Sequence, residues 1–392
     1  MIHATFAQSI QKIDDAINRD RLIETAVRLI EIPSPTGDAA AVSDCLADML
    51  ACEGFEVERP DGGYPRSPAV AVRFSTEKPG RTLQFNGHLD TVHLPFSGPK
   101  VAGGQITGSG ASDMKGGIAA AIEALRAVRD SGALTSGSIL LTAHDLHEAP
   151  WGDGRQLNHL IREGYHGDAV LLPEPLFNIL PIEGRGSATW KVHIRRAGPA
   201  VHEVMRPMDE PSVIAAGADL VARLERLGLT LASTSNLLCG SPSVFIGQIH
   251  SGEIFNQYPH ECWLEGTRRW LPGDDLRRVE SEFRAIVASL ASDRGINISC
   301  EWLMIRDGFH LDLDHEFVTD FQTCHERISG QPLLAGPKPF VDDGNSFWSL
   351  AKIPAITHGP KAGGQHTVSE WVEIDDLVRV ARLYAATAVR YC

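Results

Sequence analysis

Basic residues are scarce in this sequence relative to acidic ones. Its 392 residues contain 36 Lys and Arg against 50 Asp and Glu, which gives a net charge of −14 at pH 7. A protein that binds nucleic acid or anionic lipid through its surface charge needs the opposite balance. We therefore expect neither nucleic acid nor a membrane surface among its partners.

Long apolar segments and paired cysteines are also missing. No apolar run reaches the roughly 20 residues that span a bilayer. Residues 1–20 carry acids where a secretion signal needs a basic end followed by an apolar core. The seven cysteines are an odd number and form no CxxC pair, which argues against a disulfide framework and against a thiolate zinc site. These absences predict a cytoplasmic globular protein.

Three common catalytic or binding signatures do not occur. The nearest approach to a GxSxG nucleophile turn, GNSFW at 344–348, lacks the second glycine. HEAPW at 147–151 begins like the HExxH zinc helix but ends in Trp and contains a helix-breaking proline. GSGASDMKGG at 108–117 matches no nucleotide loop and has an acid at its centre. Serine hydrolases, HExxH proteases and nucleotide-binding proteins are therefore disfavoured.

What the sequence does contain is an alternation of helical and strand patterns over its first 180 residues. Helical periodicity alternates with short apolar runs that are typical of buried strands. The helical segments are 22–30 and 39–52, and the strand segments are 70–74, 83–85, 139–143 and 169–172. This order predicts an α/β sheet with parallel strands, whose functional residues lie at the strand ends and in the loops that follow.

The pattern changes after residue 183. In SATWKVHIRR, apolar residues at 188, 190, 192 and 194 alternate with polar ones, as in a half-exposed strand with an edge able to pair with a second copy. A helix (211–227), two strands (243–250 and 261–270) and another helix (274–291) follow. We expect an inserted α+β sandwich at 185–304, within a discontinuous α/β domain of residues 1–184 and 305–392 that ends in the helix 374–391.

Histidines and acids recur at the predicted strand ends and loops. Each residue alone has an ordinary explanation, such as a helix cap, a turn or a surface histidine. Together, two histidines and three acids are the nitrogen and oxygen ligands of a paired divalent-metal site in which one carboxylate bridges. These five residues are His88, Asp113, Glu148, Glu174 and His366.

These motifs resemble the dinuclear-zinc deacylases and exopeptidases, the family of acetylornithine deacetylase, succinyl-diaminopimelate desuccinylase and the aminoacylases. The resemblance covers nearly the whole chain, and the pair GHLDTV and SDMKGG is its most specific part. Its other parts are IPSPTG, PEP, EGRGSATWKV, VHEVMRP, TRRWLPGD and QHTVSEWVEI. It implies a zinc-peptidase-like catalytic domain with an inserted lid and dimerisation domain, and hence a homodimer formed through the lid.

The resemblance also implies roles for the metal-site residues. One ion would be held by His88, Asp113 and Glu174, and the other by Asp113, Glu148 and His366. Zinc is the expected metal, with cobalt or manganese as alternatives. Asp90 would support and orient His88 from behind, as carboxylates commonly do for metal-bound histidines.

The sequence departs from the family at one position. The family has two consecutive glutamates, a general base and then a metal ligand, whereas this chain has His147 before Glu148. A histidine can accept a proton at neutral pH but lacks the negative charge of a carboxylate. We expect His147 to be the base, with Asp145 and His144 as alternatives.

In the predicted lid, the resemblance implies an oxyanion-stabilising donor and a grip on a substrate carboxylate. His202 would be the hydrogen-bond donor, and Arg269 with Asn256 would bind the substrate carboxylate. Arg268, the neighbouring residue, is the alternative to Arg269. We expect a metal-dependent amidohydrolase for a small carboxylate-bearing substrate of the N-acyl amino acid type. The alternatives are a dipeptidase, an aromatic-amine deaminase, or a binding protein that keeps the metal shell without catalysis.

Overall fold

The structure is a computed structural model that describes residues 2–150 and 152–392. The helices are α1 Ile2–Ala16, α2 Arg19–Ile30, α3 Ala40–Cys52, α4 Lys115–Ser131, α5 Arg155–Arg162, α6 Val213–Ala232, α7 Leu276–Arg294, α8 Glu316–Ser329, α9 Asp343–Ala351 and α10 Ile374–Tyr391. The strands are β1 Val57–Glu58, β2 Val70–Ser75, β3 Thr82–His88, β4 Lys100–Ala102, β5 Gln105–Thr107, β6 Ser138–His144, β7 Ala169–Leu172, β8 Leu180–Gly184, β9 Gly186–Arg195, β10 Val201–His202, β11 Ser243–Ser251, β12 Gln257–Tyr258, β13 Glu261–Trp270, β14 Asn297–Arg306, β15 Phe309–His310, β16 Ala335–Pro337, β17 Ala355–Thr357, β18 Ala362–Gly363 and β19 Trp371–Glu373.

The chain divides into two compact units. The first comprises Met1–Ile182, His310–Pro337 and Asp342–Cys392, and the second comprises Glu183–Phe309 and Lys338–Val341. The segment that we expected to be inserted, 185–304, lies within the second unit. Its role as a lid and dimerisation domain stays a prediction.

The first unit is built on a six-stranded mixed sheet with the strand order β1-β2-β6-β3-β7-β17. Strands β6, β3, β7 and β17 run parallel, whereas β2 is antiparallel to β6. Helix α4 is buried along almost its whole length and packs against α1, α2 and α10. Its many alanines allow this close approach on several sides. The predicted α/β sheet with parallel strands is confirmed.

The strand register gathers the carboxyl ends of β3, β6 and β7 at one edge of this sheet. His88 and His144 are register partners at the ends of β3 and β6, and β7 ends two residues before Glu174. Ligand sites of open α/β sheets lie at this edge.

A smaller sheet, ordered β18-β19-β5-β4, connects distant parts of the first unit. Trp371 on β19 pairs with Thr107 on β5. This pairing brings the QHTVSEWVEI segment next to the loop that contains Asp113.

The second unit is an antiparallel sheet in the order β11-β13-β9-β14, with α6 and α7 packed against one face. Its core contains Trp190, Val192 and Ile194 of β9, together with Phe283 of α7. We predicted the alternation of β9 correctly but did not predict β14. The expectation that β9 offers a free edge is wrong, because β13 and β14 pair with it on both sides.

Among the described residues, no helix combines the length and the apolar content needed to cross a membrane.

Candidate metal centre

The five predicted metal ligands converge in the first unit. Four of them lie at or just beyond the ends of regular elements: His88 ends β3, Asp113 precedes α4, Glu148 follows β6 and Glu174 follows β7. His366 lies in the loop between β18 and β19 and adopts a left-handed backbone conformation, with φ of 57°. Non-glycine residues adopt this conformation uncommonly.

Three of these residues form what we call centre A. The Nε2 atom of His88 lies 3.2 Å from Oδ1 of Asp113 and 3.7 Å from Oε1 of Glu174. The His88 side chain has no solvent exposure, and the two acids are nearly buried. The Nε2 atom of His88 thus lies near two carboxylate oxygens, and these are the kinds of donor that hold a divalent ion.

The other oxygen of Asp113 belongs to what we call centre B. The Nε2 atom of His366 lies 3.5 Å from Oδ2 of Asp113 and 3.2 Å from Oε2 of Glu148. Asp113 therefore turns one oxygen toward each histidine, which is the arrangement of a bridging carboxylate.

The pKa shifts of the ligand residues indicate an excess of negative charge at the two centres. Burial raises the pKa of Glu174 well above its usual value, and the negative charge of Asp113 raises it further. Hydrogen bonds that His366 donates to Asp113 and Glu148 raise the pKa of His366 to about 10. Burial lowers the pKa of His88, but the hydrogen bond to Asp113 and the charge of Asp90 raise it well above its usual value overall. Crowded, buried acids of this kind fit divalent cations, so the residues present suit the expected metals.

Two further acids hold the loops that carry the ligands. The Oδ2 atom of Asp90 accepts hydrogen bonds from the main-chain N–H groups of His147 (3.1 Å) and Glu148 (2.8 Å). Asp90 supports His88 chiefly through its backbone oxygen, 3.0 Å from Nδ1 of His88. Glu370, which we did not predict, accepts hydrogen bonds from the main-chain N–H groups of residues 110, 112 and 113. Burial raises the pKa of Glu370 to about 6.

His147 lies beside centre A. Its ring stacks on that of His88 with 4.0 Å between centroids, and its Nε2 atom lies 3.7 Å from Oε1 of Glu174. Its Nδ1 atom lies 2.8 Å from Oδ1 of Asp343, a residue that sequence analysis missed. Two groups of three residues bring one ligand atom from each within 4.8 Å of the others: His88, His147 and Glu174 form one, and His88, Asp113 and Glu148 form the other.

The two alternative bases have their polar atoms engaged elsewhere. His144 directs Nδ1 to the backbone oxygen of Asp145 (3.0 Å) and Nε2 to Oδ2 of Asp343 (2.8 Å). Neither nitrogen of His144 is therefore open toward a substrate. The Asp145 carboxylate accepts hydrogen bonds from three main-chain N–H groups, those of residues 37, 39 and 146. Both residues hold the loop in place.

The predicted substrate-binding residues lie in the second unit. His202 and Asn256 contact each other, with 3.1 Å between Nε2 of His202 and Nδ2 of Asn256. On β13, Arg268 turns into the core beside α7, and its guanidinium lies 3.1 Å from Oε2 of Glu282. Arg269 is half-buried on the opposite face of the sheet. Burial and the neighbouring charge of Arg185 both lower the pKa of Arg269.

Comparison with known proteins identifies the family of the chain. The sequence pattern of peptidase family M20/M25/M40 matches residues 84–390. The chain is 29% identical to succinyl-diaminopimelate desuccinylase of Methylobacterium radiotolerans, over 95% of this chain and 97% of the relative. It is 24% identical to N-formyl-4-amino-5-aminomethyl-2-methylpyrimidine deformylase of Bacillus subtilis, over 96% of this chain and 95% of the relative.

The crystal structure of aminopeptidase PepT from Bacillus cereus has the same fold. Its TM-score is 0.78 at 18% identity, and the match covers 96% of this chain and 99% of that one. The family match spans most of the chain, and family relatives hydrolyse amide or peptide bonds. The chain is a hydrolase of amide or peptide bonds and belongs to peptidase family M20/M25/M40.

Proposed function

We propose that this protein hydrolyses the amide bond of a small, carboxylate-bearing substrate of the N-acyl amino acid type, with two divalent ions per chain. The observation that carries the proposal is the position of Asp113, whose two oxygens lie 3.2 Å from the Nε2 atom of His88 and 3.5 Å from that of His366. A single carboxylate thus connects two ligand groups. Zinc suits the mixed imidazole and carboxylate donors, and cobalt or manganese would also fit.

The ligand residues divide between the two ions. His88, Asp113 and Glu174 would hold the ion of centre A, and Asp113, Glu148 and His366 would hold the ion of centre B. When bound, such ions polarise a carbonyl and make water a stronger acid. Asp90 fixes the position of the Glu148 main chain through its carboxylate.

His147 accepts the proton of the attacking water at its Nε2 atom. This atom faces centre A, whereas Nδ1 is engaged by Asp343. The same Nε2 can return the proton to the leaving nitrogen, as general acid–base catalysts do.

The roles in substrate binding follow the family resemblance. Arg269 contacts the substrate carboxylate, because a guanidinium can form two parallel hydrogen bonds with it. Asn256 also contacts the substrate carboxylate, and His202 stabilises the developing oxyanion. The protein acts as a homodimer joined through the second unit.

Two considerations support a deacylase in the cytoplasm. The relatives named above remove a succinyl group and a formyl group, so both are deacylases by name. All seven cysteines are free thiols, as is common in reducing compartments.

The test is a turnover screen of the zinc-loaded and the chelator-treated protein against N-succinyl, N-acetyl and N-formyl amino acids and against dipeptides. The proposal expects turnover of acyl amino acids that is lost on chelation and restored by zinc. If only dipeptides are hydrolysed, the protein is a dipeptidase and the proposal of a deacylase is wrong. Full activity after complete metal removal would contradict the metal-dependent reaction.

A further inference from the structure

Asp343 is a buried acid whose carboxylate lies within hydrogen-bonding distance of His147, His144 and Asn86, beside the candidate metal centre. It lies at the start of α9 and is about 1% exposed. Its Oδ1 atom is 2.8 Å from Nδ1 of His147. Its Oδ2 atom is 2.8 Å from Nε2 of His144 and 2.9 Å from Nδ2 of Asn86. The two oxygens thus serve different partners.

The contacts of the two Asp343 oxygens determine which nitrogen of the His147 ring carries the proton. The Asn86 amide donates a hydrogen bond to Oδ2 of Asp343, so the carboxylate acts as an acceptor toward its neighbours. His147 must therefore donate from Nδ1, which leaves the lone pair on Nε2. The stacked ring of His88 at 4.0 Å restricts rotation of His147 about its side-chain bonds.

We propose that Asp343 is a positioning residue that holds His147 with Nδ1–H toward its own carboxylate and with Nε2 open to accept a proton. The Asp343–His147 pair then takes the place of the glutamate base of the family. The inference rests on the proposed amide hydrolysis.

The charges balance through the proton transfer. The water proton moves to Nε2 while Nδ1 keeps its own proton, so His147 becomes an imidazolium beside the carboxylate of Asp343. The pair changes from a net charge of −1 to 0, as a glutamate does when it is protonated. The proton then moves from Nε2 to the leaving nitrogen, and the pair returns to its starting state. A lone histidine would instead become a cation beside two metal ions, which costs electrostatic energy.

The decisive variant is Asp343→Asn, because the surroundings determine how its amide must lie. Asn86 directs an N–H group at the Oδ2 position, since its own oxygen accepts a hydrogen bond from the Thr142 hydroxyl, so the amide oxygen has to occupy that side. The amide NH₂ then faces Nδ1 of His147, which must become an acceptor, and the proton moves to Nε2. A base with a proton already on its reactive nitrogen cannot accept another.

We expect Asp343→Asn to lower kcat by about 10²–10⁴ and to leave KM within a few-fold. General-base catalysis is worth about that much, and the equivalent change behind the catalytic histidine of serine proteases costs about 10⁴ because the tautomer is wrong. Zinc affinity should stay within a few-fold of the wild-type value, because Asp343 supports a base and no ligand.

A readout independent of activity is the nitrogen NMR spectrum of zinc-loaded protein labelled at histidine. The His147 signals are identified by their loss in His147→Gln. The proton should reside on Nδ1 in the wild type and on Nε2 in Asp343→Asn. This shift reports the tautomer even if no substrate has been found.

A matched control is Asp342→Asn, one residue away. Asp342 is also buried and caps the same helix, accepting hydrogen bonds from the Gly344 main chain and from the Thr357 hydroxyl. Asparagine is as good a helix cap as aspartate. This variant removes one charge at the same place without touching His147, so kcat and the tautomer should stay unchanged.

The two residues should also be coupled in a double-variant cycle. In His147→Glu the base carries its own charge, so Asp343→Asn should cost much less in that background than in the wild type.

Three results would overturn the inference. One is an unchanged His147 tautomer in Asp343→Asn. Another is the same loss of kcat from Asp343→Asn in the wild type and in the His147→Glu variant, which would make the role of Asp343 purely structural. The third is a 10- to 100-fold loss of zinc affinity in Asp343→Asn, which is the effect of disturbing the support of a metal ligand; His147 would then bind metal. The amide-hydrolysis proposal fails separately if the wild-type protein shows no turnover while the His147 proton resides on the predicted nitrogen in the wild type and in Asp343→Asn.

Discussion

Nδ1 of His147 lies 2.8 Å from Oδ1 of Asp343, although 196 positions separate the two residues in the sequence. The contact places the carboxylate of Asp343 next to His147, the residue at which the sequence departs from its family. It also connects the loop after β6 with the start of α9, so the catalytic edge of the sheet is assembled from distant segments.

Replacing the bridging acid should affect both metal sites. We expect Asp113→Ala to bind well under one ion per chain, because its two oxygens face His88 and His366 separately. Glu174→Ala should lose mainly one ion, since Glu174 belongs only to centre A. Elemental analysis after dialysis measures both. Two ions retained in Asp113→Ala would remove the bridging assignment.

Metal binding at neutral pH should release protons. The pKa of His366 is raised to about 10 and that of His88 well above its usual value, so both carry a proton near pH 7 in the metal-free protein. A metal ligand must lose that proton, so apparent zinc affinity should fall as the pH falls. Calorimetry of zinc binding in buffers of different ionisation enthalpy counts the protons. A heat independent of the buffer would contradict this expectation.

The two adjacent arginines on β13 should behave differently. Arg269→Ala should raise KM about 10- to 100-fold with little change in kcat, because a charge-assisted contact is worth about 1.5–3 kcal/mol. Arg269→Lys should recover only part of this, since an ammonium lacks the planar fork. Steady-state kinetics with the substrate found by the screen provides the measurement.

Arg268→Ala serves as its control. Arg268 is buried and paired with Glu282, so its loss should lower stability in urea and leave KM unchanged. If KM rises strongly in Arg268→Ala and does not change in Arg269→Ala, then Arg268 and not Arg269 binds the substrate carboxylate.

A buried histidine outside the predicted ligand set should make stability depend on pH. Burial and the charge of Arg379 lower the pKa of His358 well below its usual value. The unfolded chain takes up a proton near pH 6.5 while the folded chain does not, so stability should fall as the pH drops below about 6.5, by at most about 1.4 kcal/mol per pH unit for one group.

The variant His358→Gln removes this titration but keeps an acceptor for Arg379, whose guanidinium lies 3.1 Å from Nε2 of His358. Urea unfolding of chelator-treated proteins at pH 7.5 and 5.5 should show a smaller loss of stability in the variant. An equal loss in both proteins would assign the dependence to other groups.

Local sequence patterns predicted much of this fold. The strand over 169–172 and the helix over 374–391 were predicted with the bounds that the structure has. Buried strands are short apolar runs bounded by loops, and this signal is local. The ligand motifs were also local, because His88 and Glu174 each follow such a run.

Long-range pairing could not be predicted in the same way. The alternation in β9 indicates one buried and one exposed face, but it does not show which strands lie beside it. Strand β14, with Ile298, Cys300 and Trp302 in alternation, carried a readable signal that sequence analysis overlooked. Asp343 gave no such signal, since an acid at a helix start is ordinarily a cap. Only the fold brings it to His147.

The central claim is a pair of ions bridged by Asp113, with His147 beside them and free of metal. Anomalous diffraction from crystals of the zinc-loaded protein, at the zinc absorption edge, tests it most directly. The account predicts two peaks, one bonded to Oδ1 of Asp113 with His88 and Glu174, and one bonded to Oδ2 with Glu148 and His366. A single peak, or an ion bonded to Nε2 of His147 in place of Asp113, would contradict it.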